Sequence, residues 1–465
     1  MRAFRSGLIY TAGTAAPVIA TLVITPFVTR LLGPREYGTV ALAYVVAQAA
    51  AILLGLGLPA VITRNVLIEK NGRMECILLV RTATLVVLGI SFFGTLGICL
   101  APIADPSIRI AGVAGLWTAF GISLSQMAQA YYRGVNRPIL FVVVGTILAV
   151  VPNGLGSIVT ATVSAHAPLF LAVVGTAQAV VGLGAALSIG VRGIRLSSLR
   201  EFRHALAIGL PTIPHQASVP MVAAFSVALA RWVGGGPAAA QTQVAALLGT
   251  GPLVLIQAVN NVWAPYIYSA GLSRRREALV RSTEHVSLLA FLLNVVYAVI
   301  APIAVSFVGG PIAGPNVALI SVLIAASTPL FVMYLANIHV TFISGRTWPL
   351  ALISPAGMVA SLSLCWLAVA ATGSVLAVAF AWPLFYACQA MSSRWLATKT
   401  RVGATPMRRS GLLLLCALVA PLGLFHIDDG PLRAGVASIV SLSACCIVLR
   451  TRSKRVAGVG GVEGG

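Results

Sequence analysis

The stretch RLLGPREYG, residues 30–38, packs Arg30, Arg35 and Glu36 into a Gly-Pro turn between two long, largely apolar runs. A polar turn between apolar runs of about 20 residues lets a chain cross a hydrocarbon core about 30 Å thick and return. Similar runs recur from end to end. The chain of 465 residues is 58% hydrophobic and only 9% charged, whereas soluble domains carry roughly a quarter charged residues. The expected fold is an all-α, polytopic membrane protein.

Hydropathy places fourteen spans, at about 8–32, 38–63, 77–101, 110–132, 138–163, 168–191, 205–231, 238–270, 286–308, 316–343, 347–371, 374–393, 410–426 and 432–449. With the N-terminus inside, only Arg30, Arg35, Arg109, Arg231 and Arg433 fall outside, and the other 26 of the 31 Lys and Arg residues fall inside. The positive-inside rule then puts both termini in the cytoplasm. The turn at 30–38 is an outer turn, where arginines are disfavoured. Arg30, at the very end of an apolar run, therefore needs a reason.

The formal charge of +21 sits in short clusters between apolar runs and not on one soluble basic domain, so no nucleic-acid partner is expected. The inner clusters SRRRE (273–277) and RTRSKR (450–455) are expected to hold topology and touch anionic membrane lipids. The tail VAGVGGVEGG is expected to be disordered. Seven cysteines lie in or beside apolar segments, with no C-x-x-C pair and no His at metal spacing. They read as small apolar side chains, and no metal or other cofactor is expected. Without a nucleotide-binding loop, direct ATP drive is not expected. MRAFRSGLIY leads into a run longer than a signal-peptide core, with no A-x-A site, so no cleavable signal is expected.

No loop is long enough for a folded domain, and the outer acids Glu36, Asp105, Asp428 and Asp429 sit on separate turns. Positioned acid–base groups for an enzyme such as a membrane glycosyltransferase are not expected.

An internal repeat is visible. FVTRLLGPREYGTVALAYVVAQ (27–48) matches ALARWVGGGPAAAQTQVAALLG (228–249), with Arg30-x-x-Gly33 answering Arg231-x-x-Gly234. Six spans separate the copies, so the repeat is parallel. The organisation read from it is a first six-helix lobe (1–204), a second (205–397), and an appendage of two helices with the tail (398–465). Two repeated lobes with substrate between them are a transporter device.

TRLLGPREYGTVALA (29–43), GLGLPAVITRNV (55–66) and QAYYRGVNRP (129–138) resemble the bacterial polysaccharide-lipid flippases of the multidrug/oligosaccharidyl-lipid/polysaccharide (MOP) superfamily, the O-antigen flippase-like proteins. IGLPTIPHQA (208–217) resembles the start of that family's second lobe and NNVWAPYI (260–267) the end of its eighth helix. The resemblance covers roughly residues 1–400. It implies two lobes, a bacterial cytoplasmic membrane, and movement of a lipid-linked oligosaccharide from inner to outer leaflet by alternating access. Many relatives carry an acid near the outer end of helix 7, where this chain has Ser226. The fourteen-span count is closer to the lipid II flippases than to the common twelve-span members.

Polar residues on one face of an apolar helix should meet protein or water. Such faces are Gln257, Asn260 and Asn261 on span 8; Thr212, His215 and Gln216 at span 7; Ser123, Gln126 and Arg133 on span 4; Tyr334, Asn337 and Thr341, with His339 nearby, on span 10; and Thr14, Thr21 and Thr25 on span 1. Spans 1 and 7, and 4 and 10, are equivalent in the repeat, so their shared polarity points to a common cavity. Ordinary interhelical hydrogen bonding is the competing reading. No Asp or Glu falls inside a predicted span, which suits an anionic cargo and disfavours a cationic-drug exporter.

The expected substrate contacts are therefore Arg30 and Arg231 for the pyrophosphate on the outer side, Arg64 and Arg133 on the inner side, and His215, Gln216, Gln257, Asn260, Asn261, Asn337, His339 and Gln126 along the path. The competing readings for the arginines are snorkelling to headgroups, an Arg30–Glu36 pair, or topology marking. The expected function is an inner-membrane flippase for a polyprenyl-pyrophosphate-linked saccharide, with other polysaccharide-assembly membrane proteins as further partners. A lipid II-type flippase and a cation-coupled small-molecule antiporter are the alternatives.

Overall fold

The computed structural model describes residues 2–69, 71–103, 105–190, 195–270, 274–343, 349–400, 403–406, 408–427 and 430–442. Among these the regular structure is helical, without a strand. The helices are α1 (Arg2–Leu54), α2 (Leu58–Ile68), α3 (Gly72–Leu100), α4 (Pro106–Gly134), α5 (Pro138–Thr162), α6 (Ala167–Ser188), α7 (Leu199–Gly209), α8 (Ile213–Gly249), α9 (Gly251–Ser269) and α10 (Arg275–Gly309). They continue as α11 (Pro315–Ala325), α12 (Ser327–Ile343), α13 (Leu350–Thr372), α14 (Ala381–Thr398), α15 (Arg408–Phe425) and α16 (Gly430–Leu442). A chain with so few charged residues, sitting in lipid, must satisfy its backbone internally, and helices do that segment by segment.

Among the described residues, ten helical stretches are long and apolar enough to cross a membrane. Ala16–Leu54 and Leu199–Tyr268 each overlap two of the predicted spans, and α15 and α16 are shorter apolar helices at the last two. The described residues of each predicted segment fall mostly on helix; residues 191, 347–348 and 443–449 of those segments lie outside the described residues. Asp428, Asp429, the cluster 450–455 and the tail lie outside the described residues, as does Ser273 of the cluster 273–277.

The two long helices break where the repeat predicts a turn. Gly33 sits at φ 68°, ψ 178° before Pro34, and Gly235 at φ 67°, ψ −159° after Gly234. Only glycine takes that conformation without strain. The left-handed glycine falls three residues after Arg30 but four after Arg231, so the second turn is longer than the Gly33–Gly234 equivalence suggests.

The chain forms two compact units. One comprises Met1–Leu247, Val305–Val317 and Thr347–Ala381; the other comprises Leu248–Ala304, Ala318–Arg346 and Trp382–Gly465. The first holds the whole of the predicted first lobe together with segments of the second. Its core brings Leu58 and Ile62 of α2, Val80 and Val87 of α3, and Phe120, Leu124 and Met127 of α4 together. In the second unit Phe291, Val295 and Ala298 of α10 pack on Ala417 and Leu424 of α15 and Ala437 of α16. The Asn294 amide, 1% exposed, donates to the Ala417 carbonyl at 3.1 Å. The two C-terminal helices are thus built into a core shared with α10. Large apolar side chains such as Phe93, Leu100 and Ile303 stay at least 70% exposed, as a lipid-facing surface requires.

Candidate functional site

Within the first unit, the two turns of the repeat meet backbone to backbone. A Cβ on Gly38 would collide with the Gly236 carbonyl, and one on Gly236 would press on the Arg35 backbone. Arg231 reaches across this contact, its Nη1 donating to the Thr39 hydroxyl at 3.3 Å. Arg30 does not pair with Glu36. Its Nη1 donates to the Pro26 carbonyl at 2.9 Å and its Nη2 to the Phe307 carbonyl at 3.1 Å. Thr29 beside it donates to the Val308 carbonyl at 3.0 Å. The last carbonyls of a helix have no partner within it and carry partial negative charge, so Thr29 and Arg30 cap the C-terminal end of α10. Glu36 instead accepts the Ala167 backbone N–H at 2.8 Å, a carboxylate at the N-terminus of α6.

Arg64 and Arg133, predicted for the inner side, and the path residues of this unit are dispersed. Arg64 forms an ion pair with Glu69 at 3.2 Å and donates to Asn65 Oδ1 at 2.9 Å. Arg133, exposed, lies with its guanidinium 6.0 Å from the Phe141 ring centre. His215 Nδ1 is 2.7 Å from the Ser354 hydroxyl. Gln216 donates to the Thr212 hydroxyl at 2.8 Å. Gln126, half-buried on α4, makes no side-chain hydrogen bond among the described residues.

In the second unit α9 and α12 bring two predicted residues together. His339, 3% exposed, has Nε2 at 3.0 Å from Asn260 Oδ1 and Nδ1 at 2.9 Å from the Tyr268 hydroxyl. With an amide oxygen as acceptor, Nε2 carries the proton and Nδ1 accepts from Tyr268. The Trp263 ring stands edge-on to the imidazole, centroids 5.0 Å apart, and its indole N–H donates to Ser282 at 2.7 Å. Asn337 turns away, donating to the Met333 carbonyl at 2.8 Å and accepting from the Thr405 backbone at 3.4 Å. Asn261 is exposed and Gln257 half-buried, and neither makes a side-chain hydrogen bond among the described residues.

One polar cluster of the first unit escaped the sequence reading. Tyr44 Oη accepts from Asn153 Nδ2 at 3.2 Å and from Gln178 Nε2 at 3.1 Å. The two tyrosines of this region, Tyr37 and Tyr44, line a cavity of about 60 Å³ with Thr21, Thr25, Asn153 and Gln243. Thr21 and Thr25 belong to the polar face already read on span 1, but the spans that carry Tyr44, Asn153 and Gln178 look apolar in isolation. The available signal was an amide in the middle of an apolar run, at Asn153 and again at Gln178.

A family model described as polysaccharide biosynthesis protein matches residues 3–270. The fold is similar to that of the lipid II flippase MurJ in an inward closed conformation, with TM-score 0.73 at 12% identity, covering 96% of this chain and 99% of that one. It is also similar to an inward-facing multidrug resistance MATE family transporter of the MOP superfamily, with TM-score 0.61 at 12% identity over 91% of this chain and 100% of that one. For an outward-facing MATE transporter the TM-score is 0.59 at 15% identity, over 83% and 93%. At these identities the likeness is one of fold. No curated protein matches the sequence.

Proposed function

The chain belongs to the polysaccharide biosynthesis protein family, and from that premise we propose that it is a flippase. It moves a polyprenyl-pyrophosphate-linked oligosaccharide from the cytoplasmic to the outer leaflet of a bacterial inner membrane, by alternating access between two six-helix lobes, for cell-envelope polysaccharide synthesis. The family match carries this reading, because it runs through the first eight predicted spans and both copies of the arginine-bearing turn. The absence of Asp and Glu from the predicted spans supports an anionic cargo over a cationic one. We read no enzymatic step. Both termini lie in the cytoplasm, as the distribution of Lys and Arg favours.

On this reading Arg64 and Arg133 receive the pyrophosphate from the cytoplasmic side, and Arg30 and Arg231 draw it to the outer side. A guanidinium carries five N–H donors. Arg30 commits two of its groups to carbonyls and Arg231 one to Thr39, which leaves donors on each for phosphate oxygens. Gln126, His215, Gln216, Gln257, Asn260, Asn261 and His339 serve the saccharide path, His339 through Asn260 and Tyr268, and Asn337 supports it from behind by holding the Thr405 backbone.

The test follows radiolabelled lipid-linked oligosaccharide in cells depleted of the protein. Precursor held on the cytoplasmic leaflet and cleared by restoring wild type supports the reading; no accumulation contradicts it. A lipid II-type cargo is the second reading, favoured by the fold likeness to MurJ over 96% of the chain. Accumulation of the peptidoglycan precursor in the same cells would select it.

A further inference from the structure

The cavity beside Tyr44 has a chemistry that differs from the arginine sites. Its polar lining is Thr21 and Thr25 before the Gly33 break, Tyr37 and Tyr44 after it, Asn153 of α5 and Gln243 of α8; the rest is Ile24, Val28, Val40, Ala41, Phe170 and Leu247. Every polar group is uncharged. A pyrophosphate would find no cation here and a cationic drug no carboxylate.

The hydrogen-bond inventory shows what is left for a ligand. The Tyr44 oxygen already accepts two amide N–H groups, so its own proton is available to donate. Thr21 and Thr25 donate to carbonyls of their own helix, Pro17 at 2.9 Å and Thr21 at 2.7 Å, and Thr25 also bonds the Tyr37 hydroxyl, which leaves the Thr21 oxygen as an acceptor. The Gln243 side chain makes no hydrogen bond among the described residues. Behind Tyr44, Gln178 is 2% exposed and its Oε1 is buried without a partner. Gln178 itself stands outside the lining, but the Tyr44 proton, the Thr21 oxygen and the Gln243 amide face an otherwise apolar cavity with hydrogen-bonding capacity to spare, which favours a ligand able to engage them. The partner that matches is one whose every polar group both donates and accepts and carries no charge, which is a hydroxyl. The Tyr37, Tyr44 and Phe170 rings add apolar faces suited to the C–H face of a pyranose. A cavity of about 60 Å³ holds roughly four to six waters, room for much of one sugar ring and not for an oligosaccharide.

Resting on the flippase reading, we propose that this cavity is a subsite for one uncharged sugar unit of the cargo, gripped through its hydroxyls by Tyr44, Asn153 and Gln243. It separates recognition of the sugar from attraction of the pyrophosphate.

The test uses full-length protein in lipid nanodiscs. Affinity is measured for farnesyl pyrophosphate, and for farnesyl pyrophosphate carrying a single glucose, galactose or N-acetylglucosamine. At least one sugar-bearing probe is expected to bind about tenfold more tightly than farnesyl pyrophosphate. Tyr44→Phe and Gln243→Leu should each remove most of that gain, since about 1.4 kcal/mol corresponds to a factor of ten, and leave binding of farnesyl pyrophosphate unchanged. Gln243 has no side-chain hydrogen bond to lose among the described residues, so Gln243→Leu should melt as wild type and keep the test valid if Tyr44→Phe misfolds. Equal binding of all probes, or a gain that survives both substitutions, overturns the subsite and leaves the flippase reading standing. Failure of every probe to bind counts against the flippase reading itself, and the subsite falls with it.

Discussion

At Arg30 one guanidinium bonds two carbonyls, Pro26 in its own helix and Phe307 at the end of α10. Its position at the end of an apolar run was legible in sequence; the carbonyl of Phe307, 277 residues away, was not, because no local pattern encodes that pairing. Arg30→Ala should destabilise the protein by about 1–2 kcal/mol through loss of charge-assisted bonds at a helix terminus, read as a lower melting temperature in detergent. A variant that melts as wild type yet fails to transport would show that Arg30 serves the substrate and not the α10 terminus. His339 makes the opposite case. The sequence placed it near a polar face, and the structure surrounds it with Asn260, Tyr268 and Trp263. His339→Leu leaves two partly buried polar groups unpaired and should cost about 2–4 kcal/mol, whereas His339→Gln, which keeps a donor and an acceptor, should recover part of it. Equal melting of the two variants would show that the bonds of His339 to Asn260 and Tyr268 do not stabilise the fold.

The Gly-Pro turns were legible as elements because glycine and proline interrupt long apolar runs there. Their mutual contact was not, since it depends on the fold bringing residues about 200 apart to touch. Hydropathy also merged the start of the seventh span with α7, a separate helix opened by a capping box in which the Ser198 side chain accepts from the Glu201 N–H and Glu201 accepts from the Ser198 N–H. The motif SLRE is plain in the sequence, but averaging over a membrane-length window hides it. The Gly38–Gly236 approach yields a prediction of its own. Gly38→Val places carbon where the Gly236 carbonyl lies, so the two turns must separate. Cysteines at Thr39 and Arg231, which the arginine's length now separates, in a background without other cysteines, should be bridged readily by a short bifunctional thiol reagent in the parent and poorly with Gly38→Val. Unchanged cross-linking would mean that the contact is not held in the membrane.

For the whole molecule, composition settles the class: so apolar a chain folds as helices in lipid, and its charge distribution carries the proposed orientation. The repeat was legible because its turns share Arg, Gly and Pro. The packing of α15 and α16 on α10 was not, because apolar helices with few polar marks present many equivalent faces and only close fit selects among them. The Tyr44 cluster stayed hidden for a related reason, with single polar residues on three separate spans acquiring meaning only once assembled. The central claim, outward movement of a lipid-linked saccharide, is tested most directly in proteoliposomes. Purified protein is reconstituted with fluorescent polyprenyl-pyrophosphate-linked oligosaccharide on one leaflet, and its arrival at the other is read by accessibility to an added lectin. The account predicts transfer within minutes that needs the protein and slows at least tenfold when Arg30 and Arg231 are both replaced by alanine. Transfer no faster than in protein-free liposomes, under an imposed proton or sodium gradient as well as without one, would contradict it.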